Sequence, residues 1–255
     1  APREDRLKTL ADYYEAARRH SDADFLVMPN EEGAAGGLGG HNDVLLSHPV
    51  YWTLTRAAGQ PFVEDDPKYG KVYHVGGPAD MIELAARERM LVYMPHPRSK
   101  GSTGYPDAIK DRDYFARTEY RGYGVRWGMG LDGSERRLCE LRCQALWDET
   151  NNWMADRPEP LKFIQAITET YELGPGDDLY ANNPVNYVRL DRLPGPTDWG
   201  TVIDAMRRGD YFWTSGEVLV PSYSVKGVGA KRTIVADVEW TFPLEFVEVV
   251  WGDGQ

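Results

Sequence analysis

The chain has 255 residues, 42% hydrophobic and 27% charged, the balance of a soluble globular protein with room for one large or two modest domains. Its formal net charge of -11 repels phosphate backbones and argues against general nucleic-acid binding, while leaving room for a local cationic pocket. No apolar run approaches the roughly 18 to 20 residues that span a bilayer, so neither a membrane-spanning helix nor a membrane partner is expected.

No signal peptide is visible. Both ends read as cut from something longer. A soluble, cytoplasmic protein is therefore favoured, with secretion left open. The two cysteines, Cys139 and Cys143, are four apart on one face of an expected helix and read as buried free thiols rather than a disulfide framework.

Residues 6–20 place Leu7, Leu10, Tyr13, Tyr14 and Ala17 at helical spacing. Phe25-Leu26-Val27-Met28 reads as a short buried strand that delivers Glu31 and Glu32 at its C-terminal end, and a Gly-rich loop from Gly33 to Gly40 leads on to His41. Residues 49–70 lack periodicity and read as a long loop. Lys71–Val75 reads as a strand and Pro78–Arg89 as a helix with Pro in its first turn. Met90–Met94 is a second buried strand running into Pro95-His96-Pro97-Arg98.

Further on, Val125–Gly130 is a weak strand candidate, and a helix is expected from Ser134 to about Trp153. Phe163–Thr168 and Val185–Leu190 are expected strands. Asp198 suits the N-cap of a helix Trp199–Arg208 that Gly209 ends. Beyond it, Tyr211–Thr214, Glu217–Val225, Thr233–Val238 and Phe246–Trp251 are strand-like. Alternating strand and helix up to residue 209, followed by β structure alone, predicts an α/β domain over 1–209 and the start of a β domain over 210–255.

In parallel α/β folds, chemistry gathers where strands end and loops begin. Glu31, Glu32 and His41 form one such cluster, and His96 marks another. Carboxylate and imidazole together suit Zn, Mn or Fe, and a metal so held activates water near neutral pH. After His96, Arg98 offers a bidentate fork for carboxylate or phosphate. Lys100, Ser102, Thr103, Tyr105 and glycine N–H groups extend it into an anion cradle, against the plainer reading of a solvated turn.

Elsewhere, Asp148–Trp153 could reach the site, although helix capping explains it at least as well; Asp177-Asp178 could bind a cation, although a Pro/Gly turn accounts for it; and Thr214–Glu217 reads as a domain junction. His48 and His74 show no convincing sequence partner, and His20 sits on a helix surface. No G-x-S-x-G, Walker or G-x-G-x-x-G frame occurs, which disfavours serine-hydrolase chemistry and phosphate-loop or dinucleotide binding.

The order Pro-Asn-Glu-Glu, Gly-Gly-His, strand-Pro-His-Pro and Arg-Arg-Gly-Asp-Tyr-Phe-Trp-Thr-Ser-Gly-Glu resembles the polymerase-and-histidinol-phosphatase (PHP) superfamily, closest to its carbaryl-hydrolase-like metallohydrolases. That resemblance implies a distorted, incomplete (β/α) barrel followed by a small β-sandwich-like domain. It implies Glu32, His41 and His96 as metal ligands, with Glu31 a register shift away as the competing carboxylate. The family's His-x-His and upstream Asp would precede residue 1, and its final Asp-x-His is replaced at best by Glu169-Thr170-Tyr171.

The expected activity is therefore hydrolysis of an ester, carbamate or phosphoester by metal-activated water on a small, anionic or ester-like substrate. Arg98 and Lys100 would hold an anionic group and stabilise developing charge. Two alternatives are a phosphoesterase acting on a small phosphorylated compound and a non-catalytic module that binds carbohydrate or protein. Degraded ligand positions and the abundance of Trp (8) and Tyr (15) speak for the module.

Overall fold

The computed structural model describes residues 2–33, 38, 42–97, 110–125, 145–168, 184–214, 218–229, 231–244, 247 and 249. Among them stand five helices and twelve strands in a mixed α/β arrangement. Helix α1 (Arg3–Arg19) buries Leu7, Leu10, Tyr14 and Ala17. Tyr13 is 53% exposed; its neighbour Tyr14 turns inward instead, and its hydroxyl donates to the Val50 carbonyl.

The apolar run that follows α1 departs from the expected strand. Residues 25–28 are not a strand, and Phe25 is 62% exposed. Local side chains satisfy this backbone: Asp22 Oδ1 accepts from the N–H of Asp24 and Phe25, and Ser21 Oγ accepts from Val27 N–H. Ladder pairing begins later, at β1 (Asn30–Gly33), which itself carries both glutamates. Strand β2 (Asn42–Leu45) pairs back on β1 antiparallel.

Residues 49–70, expected to be a loop, contain β3 (Tyr51–Thr53) and β4 (Val63–Asp66). With β5 (Gly70–His74) they make a three-stranded sheet in the order β3-β5-β4. Three- and four-residue strands are too short to show a period of two. They are held by burial of Trp52, Val72 and Tyr73 against α1 and the main core.

Helix α2 (Pro78–Arg87) has Pro at its first position and buries Met81, Ile82, Leu84 and Ala85. Each large side chain among them contributes about 1.5–3 kcal/mol by leaving water. It leads to β6 (Leu91–Pro95), buried at every position. Then follow α3 (Asp113–Ala116), β7 (Tyr120–Val125), α4 (Ala145–Met154), β8 (Phe163–Ala166) and β9 (Val185–Val188).

Helix α5 (Gly200–Arg208) closes at Gly209, whose φ of 81° is left-handed. Asp198 is not its N-cap: Trp199 holds that place with no side-chain cap bond. Burial of the whole Trp199 indole decides where the helix starts. Strand β10 (Tyr211–Thr214) pairs antiparallel with β9. Strands β11 (Val218–Lys226) and β12 (Thr233–Trp240) form an antiparallel ribbon with an irregularity between Leu219 and Ser222. Residues 134–144 of the expected long helix, both cysteines and the strand expected at Phe246–Trp251 lie wholly or largely outside the described residues.

The central sheet runs β1-β2-β6-β7-β8. Strand β2 is antiparallel to β1 and β6, while β6, β7 and β8 are parallel. Thus β1, β6, β7 and β8 share a direction, and their C-terminal ends lie on one side. Of the four sheets among the described residues none closes into a barrel. The β1–β2 step is a direct antiparallel return, whereas a (β/α) barrel requires parallel neighbours joined by crossovers.

Register separates the two faces of this sheet. Glu32, Asp43, Tyr93, Gly122 and Phe163 form one cross-strand row, with Pro95, Gly124 and Gln165 in the next row on the same face. Helix α5 covers that face through Ile203 and Met206, packed on Leu45, Leu91 and Tyr93. Val44, Val92, Met94 and Tyr123 join the main core with α1 and α2 on the opposite face.

Candidate functional site

At the C-terminal side of the sheet, beneath α5, lies a cleft of about 420 Å³. Glu32 and Asp43 enter it from adjacent strands as directly opposed register partners. Pro95, Gln165 and Thr168 come from the ends of β6 and β8, Asn186 comes from β9, and Val202, Ile203 and Met206 form the wall from α5. Among the described lining residues there is no Lys or Arg.

His96 follows Pro95 at the strand end and is 1% exposed. Its φ of 33° is left-handed, a conformation that costs a non-glycine residue of order 1–3 kcal/mol and often accompanies function. Its backbone N–H donates to the Gly124 carbonyl at 2.7 Å, continuing the β6–β7 ladder one residue past β6.

The competing glutamates are resolved by register. Glu31 lies on the opposite side of β1 from Glu32, and its carboxylate is paired with Arg6 at 2.5 Å, although the residue touches the rim of the cleft. Arg6 is held in turn over the Trp52 ring, 4.8 Å from its centroid, and donates to the Trp52 carbonyl. Glu31 therefore anchors α1 to β1, leaving Glu32 as the cleft carboxylate.

Asp43 is a cleft carboxylate that motif reading missed. The only sequence signal was its place two residues after His41; pairing with Glu32 follows from strand register alone. Their oxygens, with the neighbouring carboxamides, suit a divalent cation that prefers oxygen. Among the described residues no group of three His, Cys, Asp or Glu stands ready to hold a metal by itself. His41, Arg98, Lys100, Ser102, Thr103, Tyr105, Glu169 and Tyr171 lie outside the described residues.

Other polar residues acquire structural partners. Contrary to expectation, His48 Nε2 lies 2.8 Å from Glu88 Oε2, with Nδ1 2.8 Å from Ser47 Oγ. Buried His74 meets Thr53 Oγ1 at 2.9 Å and Glu64 at 3.4 Å. In α4, Thr150 bonds the Tyr123 hydroxyl, and Asn151 bonds the backbone of Lys162.

Lys162 is the most perturbed cation nearby. Burial, reinforced by Arg121, pushes its ammonium down to about 7, while its Nζ donates to the carbonyls of Phe115, Arg117 and Tyr120. Burial likewise lowers the Arg121 guanidinium and raises the Tyr93 phenol.

Comparison with protein-family models, with curated proteins and with solved structures finds no match. Among the described residues no helix is long and apolar enough to cross a membrane.

Proposed function

We propose that this chain carries a metal-dependent hydrolase site in the cleft beneath α5, cleaving an ester, carbamate or phosphoester bond. The observation that carries this reading is the opposition of Glu32 and Asp43 beside the Pro95–His96 strand end. Glu32 and Asp43 would hold a divalent cation, Mn or Zn before Fe, with His96, His41 and Glu169 the further donors that the sequence resemblance implies. A cation there supplies, when bound, Lewis-acid activation of water near neutral pH.

The chain's own residues do the rest. Val202, Ile203 and Met206 line the cleft with apolar surface and exclude water from one side, which strengthens the electrostatics within. Gln165 and Thr168 hydrogen-bond and orient the substrate. Arg98 and Lys100, following Pro97, bind an anionic group of the substrate and stabilise the charge that develops on it.

The test is metal analysis of the purified protein, with turnover of an aryl ester compared with that of a phosphodiester. Glu32→Ala and His96→Ala should each cost more than the roughly 10- to 100-fold typical of residues that merely support metal ligands. A protein that binds no divalent metal, and keeps its activity in both variants, would refute the proposal. The faster of the two substrates identifies the bond type.

A further inference from the structure

Arg121 is only 3% exposed, yet its Nε–H meets no acceptor among the described residues. It occupies the register shift of the β6–β7 ladder, where Tyr120 opposes Val92 and Gly122 opposes Tyr93. Such a bulge re-aims the extra side chain. Here the guanidinium lies over the Phe163 ring, 3.6 Å from its centroid, and one N–H donates to the Leu161 carbonyl at 3.1 Å. Its electrostatic neighbours are the phenols of Tyr93 and Tyr211 and the guanidinium of Arg207. The Tyr211 hydroxyl donates to the Ile164 carbonyl at 2.8 Å. The buried Tyr93 hydroxyl leans toward Tyr211 without closing a hydrogen bond of ordinary geometry. Two neighbouring buried donors, on Arg121 and Tyr93, are thus left without an adequate acceptor.

We propose that Arg121 and Tyr93, with Arg207 beside them, bind a small inorganic anion of chloride size between β7 and α5. An arginine stays charged at neutral pH even when buried, and a buried charge without a counter-charge is costly. Among the described residues no carboxylate acts on Arg121. The acids that act on Arg207 are engaged elsewhere: Glu119 pairs with Arg117 at 3.3 Å, and Asp204 pairs with Arg89 and stands 3.9 Å from Arg207. Lys162 adds a further positive charge near Arg121. Both donor atoms are closed to solvent, which fits one compact ion and not a metabolite; a water molecule would leave the charge uncompensated. Arg121, Tyr93, Arg207 and Tyr211 do not line the cleft, so this site stands apart from the proposed reaction centre. Arg207 follows Met206 of the cleft wall, and the ion therefore helps to hold α5 on the sheet.

The experiment is chloride-35 NMR of the whole protein with thermal melts in parallel, chloride replacing gluconate at constant sodium concentration and ionic strength. Wild type should broaden the chloride resonance saturably, and its melting temperature should rise with chloride, as for any ligand of the folded state alone. Arg121→Met should lose the saturable signal. Tyr93→Phe keeps the ring and removes only the hydroxyl; it should bind chloride about tenfold more weakly, the scale of one hydrogen bond to a charged group. Inorganic phosphate at matched ionic strength should leave the chloride signal in place, because the site is closed to larger anions.

Absence of a saturable chloride response in wild type would overturn the proposal. So would displacement of chloride by phosphate, or unchanged chloride affinity in either variant that folds. Should the melts show that Arg121→Met does not fold, Tyr93→Phe decides alone: the tenfold loss supports the site, and wild-type affinity refutes it.

Discussion

Replacing Lys162 with Met removes an ammonium buried beneath Phe115 and Tyr120, whose Nζ donates to three backbone carbonyls. Burial is the larger influence and depresses the folded-state value from 10.5 to about 7. Below pH 7 both folded and unfolded chains hold the proton, and this group adds no pH dependence. Between about 7 and 10.4 the unfolded chain holds a proton that the folded chain has released, so stability rises with pH by about 1.4 kcal/mol per unit. From pH 7.5 to 9.5 that slope amounts to about 3 kcal/mol, or very roughly 6–12 °C in melting temperature for a chain of this size. Urea unfolding of wild type and Lys162→Met at matched ionic strength isolates the effect, because other titrating groups cancel in the difference. The wild-type curve should climb relative to the variant over this window and run parallel to it below pH 6. Parallel curves throughout would show that the carbonyls keep the ammonium charged, refuting the argument that desolvation decides.

Three further outcomes follow from the same packing. Gly122→Ala should destabilise the protein by about 3 kcal/mol, an overpacking cost at the top of the usual range, because a Cβ there meets the Phe163 carbonyl on the next strand; chemical denaturation measures it. Gly209→Ala should cost about 1–3 kcal/mol, since φ is 81° and the new methyl stands 2.6 Å from the Phe163 ring; a thermal melt reads it. Glu31→Gln should cost about 1 kcal/mol by breaking the half-buried pair with Arg6 while leaving divalent-metal affinity unchanged. Loss of metal affinity on titration calorimetry would contradict the assignment of Glu32 as the cleft carboxylate.

Legibility from the sequence followed the length and periodicity of each element. Helix α2 was readable because Pro78 starts it and Met81, Leu84 and Ala85 share a face; β6 was readable because five buried residues run together. Strands β3 and β4 were not, being three and four residues long and stabilised by contacts distant in sequence. The short apolar run at 25–28 looked like a strand, but Ser21 and Asp22 side chains satisfy its backbone locally. In the candidate site, Glu32 and the Pro95–His96 strand end were readable as polar residues after apolar segments. Asp43 and Gln165 were not, because nothing in their immediate sequence distinguishes them.

What the amino-acid sequence determined by itself was local: helix faces, the buried strand β6, the left-handed stop at Gly209, and the polar character of the strand ends. Each depends on residues within a few positions of one another, where propensity and periodicity act directly. The tertiary structure decided what those ends face. A single step of register puts Glu31 on Arg6 and Glu32 opposite Asp43, since successive side chains of a strand point to opposite faces. The antiparallel return of β2 decided that the central sheet is open, and α5, some 160 residues beyond β2, supplied the wall that makes a cleft of its edge.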